Sequence, residues 1–177
     1  VSAALYRIAI LGAESSGKST LAAALAERLD TVWVPEYLRE FVEKEGRVPV
    51  AADQFLIAST QVAREREAAG RAKRVLVCDT TPLMTVLYSR HYFDGEDVQL
   101  AALAAATRYD LTLVTAPDTP WVADGLQRES EAVRQQVYQL LLGELAARQI
   151  PHHILHGTLA QRMAQAMPLI ERAIANA

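Results

Sequence analysis

Short apolar runs alternate with longer amphipathic stretches along the whole chain. Residues 5–11 (LYRIAIL), 31–34, 75–78 (VLVC) and 111–115 (LTLVT), with a weaker run at 153–155, have strand length. Their near-continuous apolar character predicts strands covered on both faces, as in a parallel sheet. Ala-, Leu- and Glu-rich segments at 18–29, 37–45, 51–69, 82–91, 96–107, 130–148 and 158–174 predict helices between and after them. Such alternation implies right-handed crossovers and a three-layer α/β domain with a parallel five-stranded sheet. Polar, Gly- and Pro-bearing stretches at 46–49, 94–95 and 116–125 mark loops. No repeat, low-complexity linker or composition break divides residues 1–177, so they read as one domain.

Composition narrows the function classes. The 177 residues are 51% hydrophobic and 22% charged, which excludes a disordered tail or fibre and leaves enough apolar surface for a core. The 18 Lys and Arg against 21 Asp and Glu give a net charge of −3, so no basic excess points to nucleic acid. A lone cysteine, Cys78, can form no disulfide within the chain, which fits a reducing compartment. The first residues run straight into a strand, and no apolar run reaches membrane-spanning length. A cytoplasmic protein with a small-molecule substrate, and no nucleic-acid or membrane partner, is expected.

The segment Gly12-Ala13-Glu14-Ser15-Ser16-Gly17-Lys18-Ser19 matches G-x-x-x-x-G-K-[ST], directly after a strand and opening a helix. Gly12 and Gly17 let the backbone curl so that the N–H groups of the intervening residues, Glu14, Ser15 and Ser16 among them, point inward at an anion. Lys18 is placed to meet the β- and γ-phosphates. The Ser19 hydroxyl is placed to ligate Mg²⁺, and Thr20 to reach toward the α-phosphate. The expected cofactors are ATP and Mg²⁺.

Other polar residues at strand ends complete a candidate site, since open α/β sheets bind ligands beyond the carboxyl ends of their strands. Asp79 ends the third strand. It suits a Mg²⁺-holding acid, a base for an attacking hydroxyl, or a cap for the helix at Pro82. After the second strand, Glu36 is placed to meet a substrate hydroxyl, Arg39 a phosphate or carboxylate, and Tyr37 a ring. Asp53 and Gln61, eight apart on the next helix, are candidates for the same cleft. The segment at about 116–134 has the character of a kinase lid, with Arg128 and Arg134 available to the transferring phosphoryl group and Asp124 to orient one of them. His156-Gly157-Thr158 forms a turn where adenine would fit. GTPase switch motifs and the transporter-ATPase signature are absent from the sequence, and the chain is short for an AAA+ motor. A small-molecule kinase is favoured, with a non-catalytic ATP-binding regulatory module as the alternative of another class.

Taken in order, 12–20 (GAESSGKST), 35–41 (PEYLREF), 77–80 (VCDT) and 121–128 (WVADGLQR) resemble the ribosylnicotinamide kinase domain family, found in bifunctional NAD-biosynthesis proteins and as stand-alone relatives. The resemblance spans nearly the whole chain. It implies a P-loop kinase fold and transfer of the ATP γ-phosphate to the 5′-hydroxyl of nicotinamide riboside. It also implies ATP and Mg²⁺ at 12–20, riboside contacts from Glu36, Tyr37 and Arg39, a metal or base role for Asp79, and a lid role for Arg128. Pro35 stands where that family carries an aromatic suited to stacking on the nicotinamide ring. The following helix offers only Phe55 in its place. Loss of one ring contact, worth about 1 kcal/mol, would loosen acceptor choice toward another nucleoside or a vitamin alcohol.

Overall fold

Alternation within the first strand sets up the layers. In β1 (Tyr6–Leu11), Ile8 and Ile10 face one side and Ala9 and Leu11 the other, and all four are buried. The computed structural model describes residues 5–95, 97–123 and 130–175. The chain then runs α1 (Lys18–Arg28), β2 (Trp33–Val34), α2 (Tyr37–Glu45), a 3-10 turn (Ala51–Asp53), α3 (Gln54–Ala69), β3 (Val75–Asp79), α4 (Pro82–Tyr92) and α5 (Val98–Ala106). It ends with β4 (Leu111–Thr115), α6 (Glu131–Ala147), β5 (His153–Leu155) and α7 (Leu159–Ala175). The five strands are all parallel, in the order β2-β3-β1-β4-β5.

Helices α1 and α7 cover the Ile8 and Ile10 face, with Leu21, Leu25, Ala166 and Ile170 packed on Val75, Val77, Leu113 and Leu155. Helices α4 and α6 cover the opposite face through Leu83, Met84, Leu87, Leu141 and Leu145, and α3 joins them by packing Ala68 on Leu76 and Cys78. This is the three-layer P-loop architecture expected, and all five residues of β3 are buried, as a strand covered on both faces requires. Because the chain places β3 and β2 on one side of β1 and β4 and β5 on the other, the crevice at the carboxyl end of β1 is the switch point where such sheets bind ligands.

Two boundaries differ from the sequence reading. Strand β2 is two residues long because Thr31 is drawn into the end of α1, its N–H on the Ala26 carbonyl at 3.0 Å and its hydroxyl on the Val75 carbonyl at 2.6 Å. The helix expected over 51–69 begins as a single 3-10 turn, closed by the Asp53 carboxylate on the Val50 N–H at 2.8 Å, before α3 takes over. Among the described residues, no helix is long and apolar enough to cross a membrane.

Candidate active site

The P-loop joins β1 to α1, and its glycines are imposed by neighbours as well as by φ. Gly12 has φ +155, and a Cβ there would collide with the Thr115 hydroxyl and come within 2.7 Å of the Ser16 hydroxyl. Gly17 has φ +83, and a Cβ would lie 2.9 Å from Arg162 Nη1. Both conformations favour glycine. Gly17 is also the N-cap of α1 and, lacking a side chain, leaves the first N–H groups of that helix facing the crevice. The Ser16 hydroxyl donates to the Ala13 carbonyl at 2.6 Å and sits 2.7 Å from the Thr115 hydroxyl, which fastens the loop to the end of β4. Lys18, buried, reaches back along the loop to the Ala13 carbonyl at 3.0 Å. Thr20 is exposed and lines the cavity over the loop.

Asp79 lies beside this loop because β3 pairs with β1 in register, Ile10 opposite Asp79. The Ser19 hydroxyl donates to Asp79 Oδ2 at 2.6 Å. Asp79 Oδ1 is buried and has no hydrogen-bond partner among the described residues. Burial raises the Asp79 carboxyl above its ordinary value, opposed by Lys18, the Ser19 hydroxyl, Arg39 and the Glu36 backbone N–H. The capping role considered for Asp79 does not hold: the N-cap of α4 is Thr81, with Pro82 in the first turn. A buried carboxylate oxygen without a partner beside a serine hydroxyl is a hard-oxygen donor set that fits Mg²⁺, with waters and phosphate oxygens completing the shell. Ser19 and Asp79 would hold it.

Two cavities meet at this point. One, of about 550 Å³, lies over residues 14–20 and is walled by Arg39, Trp121, Gly157 and Arg162. The other, of about 360 Å³, lies between the 48–57 region and α4 and is largely apolar, with Val48, Pro49, Ile57, Met84, Tyr88, Tyr92 and Phe93 in its walls. Glu14, Glu36 and Leu38 line both. Glu36 therefore stands where a group in the second cavity would face a phosphate chain in the first.

The structure brings together Gly12, Glu14, Ser15, Ser16, Gly17, Lys18, Ser19, Asp79, Glu36 and Arg39. The Tyr37 ring and Asp53 are placed elsewhere. The Arg64 guanidinium lies 4.5 Å over the Tyr37 ring, Phe41 packs edge-on to it, and it lines neither cavity. Asp53 is held by Arg47 at 2.6 and 3.1 Å, outside both linings, and Arg47 and the Val50 N–H lower its carboxyl below its ordinary value. Arg128 and Asp124 lie outside the described residues. Arg134 departs from the phosphoryl-facing role expected of it. It is buried, and it donates to the Ser15 carbonyl at 2.9 Å and to the Thr119 and Pro117 carbonyls at 2.8 and 3.3 Å, so it ties the chain after β4 to the back of the P-loop. Pro35 lines neither cavity, and the aromatic residues in the wall of the second cavity are Tyr88 and Tyr92 of α4 and Phe93 just after it.

Arg162 and Asp118 were not legible in the sequence. Arg162, on α7, donates to the Ser16 carbonyl, to the Ala116 carbonyl at 2.8 Å and to Asp118 at 2.8 Å. Asp118 also accepts from the Gly157 N–H at 2.9 Å and lies 3.2 Å from His156 Nδ1. Burial works against its charge, yet the Gly157 N–H, Arg162 and His156 keep the Asp118 carboxyl below its ordinary value. The turn suggested for adenine is thus fixed from behind, with Gly157 in the cavity wall. Arginine in the polar first turn of a helix carries no sign that it is buried. Only its pairing partners reveal that.

Comparison with known proteins agrees with this architecture. The trifunctional NAD biosynthesis/regulator protein NadR of Escherichia coli K12 is 35% identical over 142 residues, covering 78% of this chain. The chain spans about a third of that relative, 35% of its length. A crystal structure of NadR protein in complex with NR superposes with a TM-score of 0.85 at 22% identity, covering 97% of this chain and 52% of that one. Thymidylate kinase from Candida albicans superposes with a TM-score of 0.71 at 19% identity, covering 97% and 93%. A family model described as an AAA domain matches residues 7–162, so the length argument against an AAA+ motor bears on the whole machine and not on domains of this kind. The chain belongs to this family of P-loop AAA domains, AAA_28, and is similar to a part of NadR.

Proposed function

We propose that the chain is a single P-loop kinase domain that transfers the γ-phosphoryl group of ATP to the 5′-hydroxyl of nicotinamide riboside. The observation that carries this reading is the junction of the two cavities at Glu14 and Glu36, next to Lys18 and Asp79. An ATPase that hydrolyses has no need of a second, largely apolar cavity opening on the phosphate cradle, whereas a phosphotransferase needs a place for its acceptor. Similarity to NadR, whose name includes NAD biosynthesis and one of whose structures holds NR, supports the acceptor.

In this reading the 12–20 loop binds the triphosphate through inward N–H groups and Lys18. Mg²⁺, when bound, neutralises charge on the β- and γ-phosphates. Ser19 and Asp79 would hold it, and Glu36 orients the acceptor hydroxyl and takes up its proton as the new P–O bond forms and the bond from the γ-phosphorus to the bridging oxygen breaks, releasing ADP. Tyr88, Tyr92 and Phe93 supply an apolar aromatic wall for the acceptor ring, so Pro35 need not weaken acceptor binding. The sequence character of 116–134 supports a lid role for that segment, with Arg128 as its candidate charge for the transferring group.

The test is ADP release with Mg-ATP against nicotinamide riboside, common nucleosides and vitamin alcohols. Turnover with nicotinamide riboside is the expected result. Turnover confined to another acceptor would reassign the second cavity, and ATP binding with no turnover on any acceptor would overturn the kinase reading in favour of a nucleotide-binding regulatory module.

A further inference from the structure

Helix α2 begins at the acceptor side of the site, and its first residues are not capped from within. Glu36, at the N-cap, makes no side-chain cap bond. The next backbone donor, the Tyr37 N–H, is one of the four at a helix start that need an outside partner. It finds one on another element: Gln61 Oε1, on α3, accepts it at 2.8 Å. The other arm of the same amide, Nε2, reaches the Asp79 carbonyl at 3.4 Å. Gln61 is buried.

The Asp79 end of this bridge is itself constrained. Thr80 follows with φ +74, a left-handed conformation that a β-branched residue rarely takes, and its N–H is held by the Ile10 carbonyl at 3.0 Å. The Glu36 backbone N–H favours the charged form of the Asp79 carboxylate. Gln61 thus bridges the Tyr37 N–H, next to Glu36 at the start of α2, and the Asp79 carbonyl at the end of β3. Tyr37 offers a donor and Asp79 an acceptor, so the amide fits in one orientation. Among side chains of this length only glutamine both accepts and donates from one planar fork.

We infer that Gln61 is a positioning residue that sets the spacing between Glu36, at the acceptor hydroxyl, and Asp79, at the metal side of the phosphate cradle. The inference rests on the kinase reading above. Phosphoryl transfer is governed by placement, and displacement of a reacting group by about 1 Å costs up to about a hundredfold in rate. Gln61 also borders the acceptor cavity, so a direct contact with the acceptor is the competing role that the test must separate.

Two variants of the full chain make the separation. Gln61→Leu removes both bonds. Gln61→Glu keeps the acceptor for the Tyr37 N–H, loses the donor to the Asp79 carbonyl, and places a second carboxylate near Asp79. In both, kcat is expected to fall about tenfold or more while acceptor KM and ATP affinity stay within about threefold. Protection of the Tyr37 amide from hydrogen exchange is expected to fall in Gln61→Leu and to persist in Gln61→Glu. A rise in acceptor KM with kcat unchanged would overturn the inference in favour of direct contact. Loss of ATP affinity in step with kcat would overturn it in favour of a general structural role, as would wild-type rates in both variants. If the wild type turns over no acceptor, the kinase reading fails instead, and equal Tyr37 protection in all three proteins would still refute the bridge.

Discussion

The Ser19 hydroxyl donates to Asp79 Oδ2 at 2.6 Å, while the second oxygen of the same carboxylate is buried with no partner among the described residues. Burying a carboxylate oxygen without a hydrogen bond is costly, and Mg²⁺ held there with Ser19, as proposed above, would offset that cost. Asp79→Asn is expected to lower kcat by about a hundredfold or more, and to weaken Mg-ATP binding far more than binding of ATP in the presence of a chelator. Titration calorimetry under the two conditions checks this. An equal loss in both would place Asp79 in the fold instead of at the metal.

Lys18 and Glu36 both line the cavity over the P-loop. Lys18→Ala is expected to abolish measurable turnover, because the loop would lose its only mobile cation for the phosphates. Glu36→Gln is expected to cut kcat by about a hundredfold, within the usual range for a lost general base, while ATP affinity stays near that of the wild type. Steady-state rates paired with direct nucleotide binding test both. Retained turnover in Lys18→Ala would remove the P-loop from the mechanism.

Arg162 joins three segments that are far apart in sequence: the P-loop at Ser16, the end of β4 at Ala116, and Asp118. Arg162→Met keeps the stem and removes the guanidinium, leaving two backbone carbonyls and a carboxylate without their donor. Destabilisation on the order of 3 kcal/mol is expected. The urea midpoint reports it, and an unchanged midpoint would show that water replaces the guanidinium.

Glu65, on α3, is fully buried against Tyr109, whose hydroxyl lies 2.9 and 3.1 Å from its two oxygens, with Arg7 at 3.7 Å. Burial raises its carboxyl to about 7, against the pull of the Tyr109 hydroxyl, Arg7 and Cys78. Between pH 4.5 and about 7 the folded protein keeps this proton while the unfolded chain, with the ordinary value of 4.5, releases it. The unfolded state therefore binds fewer protons in that window, and stability falls as pH rises through it, by a total on the order of 3 kcal/mol, and then levels off. Glu65→Gln, which still accepts from Tyr109, is expected to flatten this slope and to be more stable than the wild type at pH 8. Denaturant melts of both proteins at pH 5 and pH 8 measure it, and parallel pH profiles would refute it.

The sequence by itself determined the elements and the phosphate cradle. Apolar runs of strand length and the spacing of Gly12, Gly17, Lys18 and Ser19 are local properties, set by how far the backbone curls in one turn and which side chains project from it. Asp79 was legible for the same reason, as a carboxylate closing an apolar strand. Tertiary structure decided the rest. Arg134 and Arg162 look like the solvated cations of any helix, Gln61 like any helical glutamine, and Asp53 like any acid in a first turn. Asp53 is taken up by Arg47, six residues away, while the roles of Arg134, Gln61 and Arg162 follow from partners 15 to 146 residues away, among them Thr119, Tyr37 and Ser16. The aromatic wall of the second cavity likewise comes from α4, which pairing of β3 with β1 carries to the mouth of the site. A local pattern records how a segment folds. Which polar groups then meet in the absence of water is fixed only when the layers close, and there the cost of an unpaired buried charge or amide selects the partner.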